Sequence, residues 1–299
     1  MSRNAVWALA TAVLLAAGGL QAWAETTTAP ESVTVTGTKL REEFHKFLRG
    51  FVAPTQATGK LARWERRICP LVVGQNPHFA AFITQRIKYV ALAAGAPVNA
   101  EASCAPNIEV VFTTTPQALL DNVRKHDVFF LGYAESNAQL DKLATVTRPV
   151  QAWYMTETED ANGHRFVDSD IISAANDGTL FEPVHYAASS SRINDHIKSG
   201  FNHILIVVDS TKLAGQTIVP LADYISMLAL TQINSLDACQ QLTSVVNILA
   251  ADCDHNGSGL TRYDMAYLQG LYKMSAGRGV MFQRNDIASM MADALMPKQ

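Results

Sequence analysis

Ser226, Asp223, Asp209, His203 and His196 are the residue types from which acyl-transfer sites are built, and they fall in one stretch of the chain. A serine hydroxyl needs a nearby imidazole to take its proton and a carboxylate to orient that imidazole. If these side chains converged, Ser226 would be the nucleophile of a hydrolase with an unconventional site. Their spacing matches no local signature. The chain has no Gly-x-Ser-x-Gly elbow and no His-x-x-x-His pair among its eight histidines. A histidine beside a core strand is ordinarily a hydrogen-bonded structural residue.

Three other groups carry chemistry. Cys69, Cys104, Cys239 and Cys253 are an even set, which in an exported chain reads as two disulfides. Pairing neighbours gives Cys69–Cys104 and Cys239–Cys253. A zinc site is the sharper alternative, but no Cys-x-x-Cys pair exists. Asp252-Cys253-Asp254-His255-Asn256-Gly257 resembles a calcium loop, yet position 12 is Tyr263 instead of the closing acid. The simpler reading is a disulfide-tethered turn feeding a helix, with Thr261 and Asp264 as a capping box. Asp168, Asp170 and Asp177 match no calcium-loop spacing. Arg63, Arg66 and Arg67 around Trp64 form either an anion patch with a cation–π contact or a solvated turn, and the turn is the simpler reading.

The elements that must position these groups centre on residues 201–230. Ile204, Leu205, Ile206, Val207 and Val208 form an unbroken aliphatic run, the pattern of a strand covered on both faces. A polar loop follows. Pro220 suits a first helical turn, and Leu221, Tyr224, Ile225 and Leu228 repeat at helical spacing. Before this stretch, strand-like runs at 33–37, 68–73, 107–113, 128–131 and 150–155 alternate with helical patterns at 39–52, 77–94 and 115–124. A further helical pattern lies near Leu140. Residues 156–200 are acidic and irregular, read as a hairpin and solvated loop or as a substrate-facing flap. Helical patterns at 261–272 and 285–295 close the chain. This order favours an α/β or α+β sheet with flanking helices; the reading adopted is α+β, a mixed β-sheet flanked by helices with a C-terminal helical part.

Arg3, the apolar run at 6–20 and Ala22-Trp23-Ala24 read as a secretory signal peptide, residues 1–24. Residues 25–299 are expected to form a single domain, with 25–36 a flexible leader and a periplasmic or secreted location. Removing Arg3 takes Lys+Arg from 24 to 23 against 27 acidic residues, a formal charge of −4. Such a balance excludes a nucleic-acid partner. No later run is long enough to span a membrane.

The segment Ala222-Asp223-Tyr224-Ile225-Ser226, followed by Met227-Leu228-Ala229-Leu230, is similar to the active-site helix of zincin metallopeptidases. The closest likeness is to a group of secreted bacterial proteins with zincin-like domains. In those folds a strand leads into a helix bearing His-Glu-x-x-His, where two histidines hold zinc and the glutamate activates its water. The resemblance implies that Ala222 and Ser226 stand at the ligand positions and Asp223 at the glutamate position. It is strengthened by Leu260, Thr261, Asp264, Tyr267, Leu268, Leu271 and Tyr272, which match a phrase that follows that helix. Alanine cannot bind a metal and a serine hydroxyl is a poor ligand for zinc. The resemblance thus implies the fold without its chemistry: a pseudoenzyme with no cofactor and no catalytic residue, acting by binding a protein or peptide. The alternatives are the hydrolase above and a metallopeptidase recruiting other histidines such as His185 or His196.

Overall fold

The computed structural model describes residues 37–101, 103–168, 194–213, 215–234 and 236–296. The chain runs α1 (Gly37–Phe51), β1 (Ala62–Arg63), β2 (Pro70–Val73), α2 (Pro77–Ala94), β3 (Ile108–Thr113) and α3 (Pro116–His126). It continues through a 3-10 turn (Val128–Leu131), α4 (Asn137–Leu143), β4 (Val150–Glu159), β5 (Arg165–Val167), β6 (Lys198–Asp209) and α5 (Ile218–Leu230). A second 3-10 turn (Val245–Leu249) precedes α6 (Arg262–Lys273) and α7 (Val280–Leu295). The expected signal peptide, leader and 33–36 strand lie outside the described residues, and Gly37 opens α1 instead of closing a strand.

Among the described residues six strands make one mixed sheet in the order β2-β3-β6-β4-β5, with β1 paired to β6. β2, β3 and β6 are parallel, while β4 runs antiparallel to both β6 and β5. The central position of β6 explains its unbroken aliphatic run, because both of its faces are buried. Alternation sends Ile204, Ile206 and Val208 to one face, where they join a single core that includes side chains of α1, α2, α5, α6 and α7. Leu205 and Val207 go to the other, where Leu120 of α3, Leu131, Trp153 and Met155 form a smaller core. The α+β architecture with C-terminal helices is the one the sequence implies.

Two expectations are corrected. Residues 128–131 form a 3-10 turn and not a strand. Its apolar run Val-Phe-Phe-Leu is too short for periodicity to separate a strand from a helical turn. Gly132 decides it, closing the turn at φ 80 with its N–H on the Phe129 carbonyl. Residues 156–200 are also less irregular than expected at both ends. β4 extends to Glu159 and hairpins into β5, and β6 begins at Lys198. The polar residues there are consumed by pairing: buried Glu157 meets Arg66 and Arg165, and Glu159 meets Arg165 and Lys198.

Both disulfides are the neighbouring pairs, Cys69–Cys104 and Cys239–Cys253, and no free cysteine remains. Among the described residues no helix is long and apolar enough to cross a membrane.

Candidate functional site

α5 carries the three motif positions, and it is the most enclosed helix of the fold. Thr217 supplies its N-cap position without a side-chain bond, and all ten residues 221–230 are buried. A helix apolar all round is a core helix, which explains why its hydrophobic stripe is so wide. Ala222, Asp223 and Ser226 have no exposed surface. The Ser226 hydroxyl donates to the Ala222 carbonyl one turn back, at 2.7 Å. That bond occupies its proton locally and leaves no base in contact.

Asp223 is held from two sides. Arg86 of α2 grips both carboxylate oxygens, Nη2 to Oδ2 at 3.0 Å. The backbone N–H of Leu260 donates to Oδ2 at 2.8 Å. This contact raises the Arg86 guanidinium above its usual range, chiefly through the hydrogen bond to Asp223. The bidentate pair satisfies a charge that would otherwise be costly to bury. A carboxylate so engaged ties α2, α5 and the start of the α6 loop together; it is not free to activate water.

The hydrolase constellation does not assemble. His203 shares the Leu205 and Val207 face of β6, packed edge-on against Phe130. Ser226 lies on α5, across the sheet. Asp209, six residues along β6, is about 20 Å from His203. Its carboxylate accepts from Thr211 and pairs with Lys212. His196 precedes β6 in a left-handed conformation, φ 62, with its N–H on Asn194. His203 Nε2 lies 3.5 Å from Glu109 but makes no hydrogen bond. Burial pushes its pKa down to about 4.

The remaining candidates are structural too. Among the described residues no three His, Cys, Asp or Glu side chains are close enough together to hold a metal ion. His185, Asp170 and Asp177 lie outside the described residues. Asp168 is buried and receives both Thr156 and Thr158 hydroxyls. Asp264 completes the expected capping box with Thr261 and also accepts from Ser244 and the Val245 N–H. Burial raises the pKa of Asp168 and of Asp264. The arginine-rich turn is solvated at Arg66 and Arg67, as expected, but not at Trp64 and Arg63. Trp64 is buried and donates to the Ala229 carbonyl, at the C-terminal end of α5. Arg63 donates to the carbonyls of Leu271, Tyr272 and Met274, capping α6.

Among the described residues one side of β4 is left open. The Asp209 N–H bonds the Pro149 carbonyl, and the Asp168 N–H bonds the Thr156 carbonyl. Odd positions of β4 therefore face β6, and Val150, Ala152 and Tyr154 turn their backbone groups outward. Among the described residues no strand pairs with that edge before Glu157. A cavity of about 200 Å³ lies along it, lined by Ala152, Tyr154, Thr156, Tyr133, Gln56 and Gln232. Gly132 closes one end, its Cα set against the Tyr154 carbonyl. Nothing in the β4 sequence distinguishes its open edge from its paired one, because both edges are backbone. Comparison with protein-family models, with curated proteins and with solved structures finds no match.

Proposed function

We propose that this is an exported cell-envelope protein on a zincin-like framework that binds and does not cleave. Its ligand is an extended peptide segment seated along the open edge of β4. The observation that carries the non-catalytic part is the complete burial of Ala222, Asp223 and Ser226, with Asp223 and Ser226 already hydrogen-bonded. The zincin-like reading is supported by a core strand, β6, leading directly into the helix that bears those positions. The Thr261 capping box opening α6, on the matching phrase, adds to it. Two disulfides favour an oxidising compartment, in keeping with the signal-like N-terminus.

The peptide reading rests on backbone chemistry. A free strand edge offers alternating donors and acceptors, and an extended chain adds to it as a further strand. Ala152 supplies such a pair beside the cavity. The test is a library of fluorescent heptapeptides followed by polarisation and mass spectrometry. Binding without cleavage is the expected result. Ala152→Pro removes one outward N–H but no β4–β6 ladder bond, so it should abolish binding while the fold persists. Peptide turnover, or one zinc per chain that is lost on mutating a histidine, sinks the non-catalytic reading. Binding indifferent to A152P sinks the edge.

A further inference from the structure

We infer that the protein has a second, separate site: a pocket for a small neutral amphiphile at the carboxyl ends of β3 and β6. These two strands are parallel neighbours, yet the chain leaves them in opposite directions. β3 passes to α3, whose Leu120 belongs to the smaller core, and β6 passes to α5 on the opposite face. In sheets with parallel strands, a crevice opens where successive connections diverge in this way, and ligands settle there.

The crevice is present as a cavity of about 380 Å³. Its apolar walls are Phe79 and Ile83 of α2, Phe112 of β3, Leu213 of the loop, and Ile218 and Leu221 of α5. Gln75, Ser210 and Gln216 supply neutral polar groups. No charged side chain lines it among the described residues. The nearby charges are spent: Asp209 on Thr211 and Lys212, Arg86 on Asp223. A lining without charge suits an uncharged ligand, since an ion entering it would lose hydration without gaining a partner. The volume lies at the small end of the range for ligand pockets, room for a molecule of two or three rings or a medium-length chain.

One feature gives the ligand a direction. α5 begins at Ile218, which lines the cavity, and Thr217 provides no side-chain cap. The first-turn N–H groups and the positive end of the helix dipole therefore favour an oxygen acceptor at that end of the pocket. The apolar body of the ligand then lies against Phe79 and Phe112. Phe79 is 43% exposed, an apolar surface that such a ligand would cover.

The mature protein is titrated with N-phenyl-1-naphthylamine, a neutral probe that fluoresces in apolar surroundings. Saturable one-to-one binding is expected, displaced by decan-1-ol and not by decyltrimethylammonium. Phe79→Asp places a charge in the wall at a half-exposed position, and Leu213→Trp fills the space. Each should weaken the probe at least tenfold with an unchanged melting temperature. Met281→Asp, on the exposed side of α7, should change nothing, and neither should A152P, which keeps this test separate from that of the peptide edge. Absence of saturable binding, equal displacement by the cation, or wild-type affinity in both F79D and L213W would overturn the assignment.

Discussion

At Asp223, side-chain chemistry has been converted into architecture. Its carboxylate is fully buried and depends on a single cationic partner. Arg86→Ala strands that charge and should cost about 3 kcal/mol, the low end for a broken buried pair because Arg86 is itself partly exposed. Urea unfolding measures the loss, and the double variant Arg86→Met, Asp223→Leu should recover most of it. Ser226 gives a chemical test of the same region. A fluorophosphonate should leave it unlabelled, since its hydroxyl is buried and bonded to a carbonyl. His203 gives a pH test. Burial lowers its folded pKa to about 4, against an unfolded value of about 6.5. The unfolded chain therefore binds the extra proton first, and stability is lost as pH falls from 6.5 toward 4. The full effect is about 3 kcal/mol. His203→Met should flatten that part of the stability curve. Glu109 is the carboxyl facing the ring, and burial raises its own pKa. Of these partnerships the sequence discloses almost nothing. Arg86 and Asp223 are far apart in the chain, and only the packing of α2 on α5 makes them neighbours.

The elements are more legible where one pattern has one outcome. The five aliphatic residues of β6 are buried as their run implies, and so are Ile83, Ile87, Val90 and Ala91 of α2, whereas Phe79 and Phe82 at the start of that periodicity stay exposed. Asn76 and Gly95 cap α2 as a polar acceptor before Pro77 and a left-handed glycine after Ala94. Residues 128–131 are ambiguous because four apolar residues satisfy a strand and a turn equally. The deciding glycine acts through a tertiary contact. A Cβ on Gly132 would sit 2.4 Å from the Tyr154 carbonyl at a positive φ. Gly132→Ala should therefore cost about 2 kcal/mol in thermal unfolding and weaken peptide binding by narrowing the cavity beside Tyr154. The hairpin of β4 and β5 is one of the two readings of residues 156–200, but its extent is hidden: Glu157 and Asp168, buried on opposite faces, read as loop residues until their partners are known.

For the whole molecule, the mixed sheet with its flanking helices is readable from the order of apolar runs, whereas the position of each strand is not. β6 is last in sequence yet central, and β4 is inserted antiparallel beside it. Neither fact follows from periodicity, which reports burial and not neighbours. The cysteines are the exception, because short separations restrict pairing. Replacing Cys69 and Cys104 with serine frees a loop of 35 residues and should lower stability by about 4 kcal/mol in the chain-entropy treatment.

The sheet also divides the protein into unequal layers. The fully enclosed α5 belongs to the thicker side, while α3, the 3-10 turn at 128–131 and α4 rest on a handful of buried side chains. In deuterium-labelling experiments the amides of 116–143 should exchange through partial opening, at rates insensitive to low denaturant, whereas those of 221–230 should wait for complete unfolding. The thin layer would behave as a detachable cover, and its release would uncover the Trp153 side of β4 while the rest stays native.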